Sequence, residues 1–166
     1  VVPASPRTSF DDFVRARTAA LARTAYLLTG DAHLAEDLVQ MALFKAARAW
    51  HRIEGDPEPY VRRILYNQNI SWWRRRRVPE TSLGSHDHPT PPPDDDLRLS
   101  LEAALAELTD RQRTVLVLRF FEDLTEVQTG AALGIGPGTV KSTTREALAR
   151  LRTLAPHLAE LLEVGS

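Results

Sequence analysis

Between residues 60 and 77 the chain spaces arginines, aromatics and amides so that they share faces of one helix. At intervals of three and four residues, Arg62, Tyr66, Asn69 and Trp73 form one line. Arg63, Asn67, Ile70 and Arg74 form the next, with Arg75 beside them. Val61, Leu65, Gln68 and Trp72 make a separate line suited to a core. Guanidinium groups bind phosphates, aromatic faces stack on unpaired bases, and amides read Watson–Crick edges. Stacking is worth about 1–3 kcal/mol per base, so a few such contacts could offset the unpairing of a few steps. The same pattern also describes an amphipathic helix with a solvated basic face, and this segment alone leaves both readings open.

A second constellation lies at 124–152. Gly130 and Gly134 stand four apart across an expected helix-turn junction. A helix-turn-helix needs a small residue where its helices nearly touch, and one that tolerates positive φ in the turn. The following helix would present Thr139, Lys141, Ser142, Thr143, Arg145 and Glu146 outward to a duplex groove, with Val140, Ala147 and Leu151 inward. A plain αα-hairpin is the alternative. No catalytic constellation accompanies either segment: Asp31, His33, Glu36 and Asp37 look like a capped helix start, without nucleophile or oxyanion donor. His86-Asp87-His88 lacks further ligands and reads as spacer, so neither metal nor cofactor is expected.

The elements that must position these residues are helices. Phe13, Ala16, Ala20, Leu21, Ala25 and Leu28 recur at helical spacing, Thr29-Gly30 ends that helix, and Asp31 caps the next. The second helix, to about Trp50, is apolar over most of its circumference. Such a helix sits at the centre of its bundle or keeps one face for a partner. A third helix spans about 58–76. Residues 78–96 hold five prolines and five acids with no Lys or Arg, which predicts a solvated tether. Extended, it would reach roughly 65 Å; relaxed, about 25 Å. Beyond it, Thr109-Asp110-Arg111-Gln112 and Thr125-Glu126-Val127-Gln128 are capping boxes, Val115–Phe121 an apolar helix, and Pro137 a helix start. Pro156 marks an end or a kink.

The expected fold is therefore all-α: a leader at 1–9, a helical domain at 10–77, a flexible acidic, proline-rich linker at 78–96, and a helix-turn-helix domain at 97–164. With 43% apolar and 26% charged residues the chain reads as a soluble globular protein. The absence of cysteine excludes disulfides and thiolate metal sites and fits the cytoplasm. No apolar run approaches the roughly 18 residues that would span a bilayer. A net charge of −1 predicts weak attraction to duplex DNA by the chain alone, so a partner must supply most of the affinity.

Taken together, these residues resemble the extracytoplasmic-function (group 4) sigma factors of bacterial RNA polymerase, over about residues 10–155. Asp31-Ala-His-Leu-Ala-Glu-Asp-Leu-Val-Gln40 resembles region 2.2, which in that family docks on the clamp helices of the largest core subunit. Pro59-Tyr-Val-Arg-Arg-Ile-Leu-Tyr-Asn67, continuing to Trp72-Trp73-Arg74-Arg75, resembles regions 2.3 and 2.4, which melt and hold the −10 element. Leu105–Arg113 and Leu124–Ser142 resemble regions 4.1 and 4.2, which bind the core flap and the −35 duplex. The Leu28–Asp31 junction resembles the actinobacterial branch.

The resemblance implies a promoter-specific initiation subunit that binds core polymerase through Asp37, Gln40 and Phe44. It also implies an anti-sigma partner. Thr143 and Glu146 depart from the arginines of many relatives; a glutamate could accept from a cytosine amino group. Two other functions fit parts of the chain. A response-regulator-type factor would bind DNA as a dimer through 124–152, and a helical adaptor would use only its second helix.

Overall fold

The computed structural model describes residues 8–75 and 96–164; the leader through Arg7, nearly all of the acidic tether and His86-Asp87-His88 lie outside them. Among the described residues the chain is helical and contains no strand. An N-terminal unit comprises α1 (Phe10–Thr29), α2 (Ala32–Ala49) and α3 (Pro57–Arg75), with a short 3₁₀ turn, Trp50–Arg52, after α2. A C-terminal unit comprises α4 (Asp96–Ala106), α5 (Asp110–Leu116), α6 (Glu126–Leu133), α7 (Pro137–Leu154) and α8 (Pro156–Val164).

Local chemistry fixes the boundaries. Ser9 Oγ accepts the Asp12 N–H at 3.1 Å and starts α1. Gly30 ends it in the left-handed region, φ 67°, with its N–H on Tyr26 O. Asp31 then accepts the His33 and Leu34 N–H groups at 2.8 and 3.0 Å, which opens α2. Both expected capping boxes form, Thr109 with Gln112 and Thr125 with Gln128. One expectation in the C-terminal unit changes. The apolar run after Thr114 does not stay α-helical: beyond Leu116 it widens into a π-turn, Val117–Phe121, marked by the Glu122 N–H on Val117 O at 3.0 Å. Pro156 marks the end of the preceding helix, as expected, since α7 stops at Leu154; it then opens α8.

The nearly all-apolar α2 is buried along one side and open on the other. Leu38, Val39, Ala42, Ala46 and Ala49 are buried against α1 and α3, whereas Met41 and Phe44 are exposed, Phe44 at 60%. In the other unit, Val115, Leu116, Leu118, Val140, Ala147 and Leu151 are completely buried. The two cores are continuous, with one apolar cluster running from Phe13 and Leu65 through Leu105 to Leu151 and Ala159. The units are thus docked, α1 and α3 against α4, α5, the π-turn and α6.

Arg113 helps hold this seam. Its buried guanidinium donates to Leu105 O at 2.9 Å and Leu108 O at 3.1 Å within its own unit, and to Leu28 O at 3.3 Å across the seam. The last carbonyls of a helix have no intrahelical partner and carry partial negative charge, so a buried cation is satisfied there.

The hairpin of α6 and α7 depends on Gly130. A Cβ built there would stand 2.6 Å from Ile135 O, a backbone atom that cannot move aside, whereas a Cβ at Gly138 meets nothing within 4 Å. Gly130→Ala should therefore lower stability by roughly 1–3 kcal/mol, with Gly138→Ala neutral or slightly stabilising. Denaturant melts of the two variants check this; equal melts would refute the packing argument.

Candidate nucleic-acid interface

Helix α3 follows its sequence pattern on the core side. Val61 and Leu65 are fully buried, Trp72 packs partly buried against the core, and Gln68 is buried with its Oε1 accepting from Lys45 Nζ at 2.9 Å. The second line of residues is divided: Arg63, Asn67, Arg74 and Arg75 are exposed, while Ile70 is buried. Asn67, Ser71, Arg74 and Arg75 border an open groove whose far wall is Ala131–Gly134 of α6. Arg74 also extends over the Trp73 ring, 6.0 Å from its centroid.

The first line departs from its expected placement. Tyr66, Asn69 and Trp73 are buried, Asn69 at 1% exposure, and Arg62 is half-buried. The reason is the docked C-terminal unit. Asn69 Nδ2 reaches Thr114 Oγ1 at 3.4 Å. At the other end of the line sits Glu122, which follows the π-turn. Its Oε2 accepts from Tyr66 Oη at 2.5 Å and from Arg62 Nη1 at 2.8 Å; its Oε1 accepts from Thr24 Oγ1 at 2.7 Å. Arg62 Nη1 also donates to Thr24 Oγ1 at 3.0 Å, closing a ring of bonds. Behind it, Glu58 takes Arg62 Nε at 3.1 Å and Arg17 Nε at 3.0 Å. Sequence reasoning missed Glu122, Thr24, Thr114 and Arg113, because nothing in their spacing reveals a partner 45 to 98 residues away.

Electrostatics follow the geometry. Burial works against the Arg62 charge, but Glu122 and Glu58 outweigh it and hold its pKa above the ordinary arginine value. Burial also raises the Tyr66 pKa well above the tyrosine range, reinforced by its hydrogen bond to Glu122 and that carboxylate's charge; Arg62 offsets only part.

On α7, Thr139, Lys141, Ser142, Arg145 and Glu146 are exposed as the pattern requires. Thr143 is not: it is 7% exposed and lies among the inward residues with Val140 and Ala147. At positions 140, 143 and 147 the inward stripe steps by three and four, and Thr143 falls on it. On α2, Asp37, Gln40 and Phe44 are all exposed on successive turns. Arg48 lies over the Phe44 ring at 5.9 Å, and Met41 extends the apolar part of this face.

A bundle carrying a basic, aromatic helix, docked to a helix-turn-helix unit, defines an initiation subunit of the sigma-70 type. Residues 13–78 match Sigma-70 region 2, and residues 104–153 match Sigma-70, region 4. Sequence relatives agree over most of the chain. The RNA polymerase sigma-E factor of Streptomyces coelicolor is 40% identical over 150 residues, spanning 86% of this chain and 84% of the relative. The ECF RNA polymerase sigma factor SigL of Mycobacterium tuberculosis is 36% identical, spanning 84% and 85%. Among solved structures, the sigma factor RpoE of Bartonella quintana, in complex with the anti-sigma factor NepR, superposes with a TM-score of 0.65 at 26% identity, over 87% of this chain and 95% of that one. The chain belongs to the extracytoplasmic-function RNA polymerase sigma factors. It directs transcription initiation, and the response-regulator reading is overturned by the region 2 match, which that reading left without a role.

The Tyr66 shift carries a sign. Above about pH 10, where an ordinary phenol ionises, the docked state binds more protons than an undocked one, so docking weakens as pH rises through that range. Absorbance titration of the three tyrosines should show a late-ionising phase that Tyr66→Phe removes. Loss of an early phase instead would contradict the buried phenol.

Proposed function

We propose a division of labour among three surfaces. Asp37, Gln40 and Phe44 on α2 dock on core RNA polymerase. Arg62, Arg63, Tyr66, Asn67, Asn69, Trp73, Arg74 and Arg75 on α3 melt and hold the −10 strand. Thr139, Lys141, Ser142, Arg145 and Glu146 on α7 read the −35 duplex, with Thr143 bracing that helix from inside. In domain terms, 10–77 serves core and the −10 element, 97–164 serves the −35 element, and 78–96 joins them. The protein works in the cytoplasm without a cofactor or chemistry of its own, and an anti-sigma protein controls it.

The observation that carries this reading is the edge of α3, where exposed Arg63, Asn67, Arg74 and Arg75 lie beside the buried rings of Tyr66 and Trp73. Cations for phosphate, amides for base edges and rings for stacking occur together there. Membership of the family supports the assignment of each surface. A chain of net charge −1 gains little from general attraction to DNA. Two weak DNA sites become selective once core fixes their separation, because the second binding event is then intramolecular.

Run-off transcription with core polymerase over a promoter library tests the reading: start-site selectivity should appear only with this chain. Joint substitution Asn67→Ala and Arg74→Ala should leave core assembly intact and cut open-complex formation by at least about tenfold, from polar contacts worth roughly 1–3 kcal/mol each. Phe44→Ala should act earlier, weakening core binding by roughly 2 kcal/mol or more, as for a buried aromatic anchor. Glu146→Gln should alter preference at one −35 position by about 1–3 kcal/mol. Tight promoter binding by the isolated chain at physiological salt would overturn the scheme.

A further inference from the structure

One arc of α3 stays open to solvent. Tyr60, Arg63, Asn67, Arg74 and Arg75 are exposed along it, and Ser71 is half-buried. Gln68 stands at the rim of that arc, where it gives way to the buried Val61 and Leu65; Ser71 and Arg75, three and seven positions on, share its face. The Gln68 amide is tied at one end. Lys45 of α2 donates from Nζ to its Oε1 at 2.9 Å. A lysine ammonium has three donors and no acceptor, so only the oxygen of the amide can face it. The other end, Nε2, has no partner among the described residues and is not sealed from solvent.

Lys45 thereby removes a freedom that a side-chain amide ordinarily has. An untethered amide turns to offer either its carbonyl or its N–H groups. Asn67, exposed and without a partner among the described residues, keeps that choice. Gln68 offers only N–H.

We propose that Gln68 is a base-reading residue of α3 whose polarity is set by Lys45: the amide is fixed as a donor and selects bases with a keto oxygen over bases with an amino group. The inference rests on the assignment of α3 to the −10 strand, and adds to it a reading residue, its chemical preference and the residue that fixes the preference. In guanine and thymine the distinguishing group is an acceptor, O6 or O4; in adenine and cytosine it is a donor, N6 or N4. An amino base would meet the tethered amide N–H against N–H, and a donor left unmet costs more than a met one contributes. Lys45 touches no base in this scheme. It is a positioning residue that acts through Gln68.

Run-off transcription by core polymerase carrying the full chain, over promoters randomised across the −10 element and read by sequencing the transcripts, gives the base preference at each position. The chain is supplied in excess over core, so changes in core affinity drop out. Wild type is expected to favour G and T over A and C at one position by roughly fivefold or more. Gln68→Ala should flatten that position and leave the rest of the profile. Lys45→Arg, also a donor only, should keep the wild-type preference. Lys45→Glu accepts only, so it draws Nε2 inward and turns Oε1 outward. It should invert the preference to A and C with Gln68 itself unchanged. Any loss from its altered charge falls on all promoters alike, since phosphate contacts carry no sequence information. Should Lys45→Glu fold poorly by circular dichroism, Lys45→Met frees the amide and should flatten the same position.

An unchanged profile in Gln68→Ala overturns the reading role. Transcription lowered evenly by Lys45→Glu or Lys45→Met, with the profile unchanged, overturns the orienting role: Lys45 then contacts phosphate or only braces α2 against α3. If the joint Asn67→Ala and Arg74→Ala variant also opens promoters normally, it is the assignment of α3 that has failed, not the part given to Gln68 alone.

Discussion

A carboxylate between two packed helical units is stable there only if donors replace the water it has lost. Breaking such a buried arrangement by removing one partner costs far more than the arrangement contributes relative to apolar side chains of the same shape. Glu122 meets this condition only while α1 and α3 face the turn that carries it, because Thr24, Arg62 and Tyr66 are its donors. Arg113 places a complementary constraint on the opposite side of the seam, a buried guanidinium that requires Leu28 O as well as the end of α4. With an acid at one position and a base at another, each satisfied across the seam, the units have a preferred register. Apolar contact alone would specify it less sharply, since hydrophobic burial is non-directional.

What could be read from the sequence follows from the range of the interactions involved. Helix starts and stops are decided within four residues, so Asp31, Thr109, Thr125, Gly30 and Gly134 were legible as caps and turns and appear as such. The inward stripe of α3 was equally legible, since Val61, Leu65 and Gln68 answer to one periodicity. The fate of the opposite line was not. Whether Tyr66 and Asn69 face water or another unit depends on residues 122 and 114, which no local pattern ties to them. Thr143 was misplaced for a different reason: threonine is compatible with either side of α7, and only its step from Val140 puts it inside.

The charge distribution makes sense in the same terms. A sigma factor with a strong positive field would bind DNA wherever it met it, and the specificity of initiation would be lost to the excess of other sites. Here Arg62 of α3 is balanced within the molecule by Glu58 and Glu122, and Glu58 also pairs with Arg17 of α1. Arg63, Arg74 and Arg75 are exposed, and Arg74 and Arg75 lie at the border of a groove whose other wall belongs to α6. Phe44 and Met41, by contrast, remain uncovered in the docked state.

How Glu122 comes to face α3 is a question of register along one short segment. A π-turn takes up an extra residue, so positions after Val117 are displaced around the axis by roughly 100° from those of an unbroken α-helix. Asp123 then reverses the chain at φ 54°, and the Leu124 N–H returns to Leu118 O at 2.9 Å. Arg119 Nη1 holds Leu124 O at 2.5 Å, and the next residue, Thr125, is already the cap of α6. One hydrogen-bonded loop thus begins by aiming the acid at α3 and ends by starting the helix-turn-helix. Because no slack separates the two, α6 and α7 cannot part from the N-terminal unit without withdrawing Glu122 from Arg62 and Tyr66. The packing of α3 and the placement of the helix-turn-helix are, in this fold, fixed by the same loop.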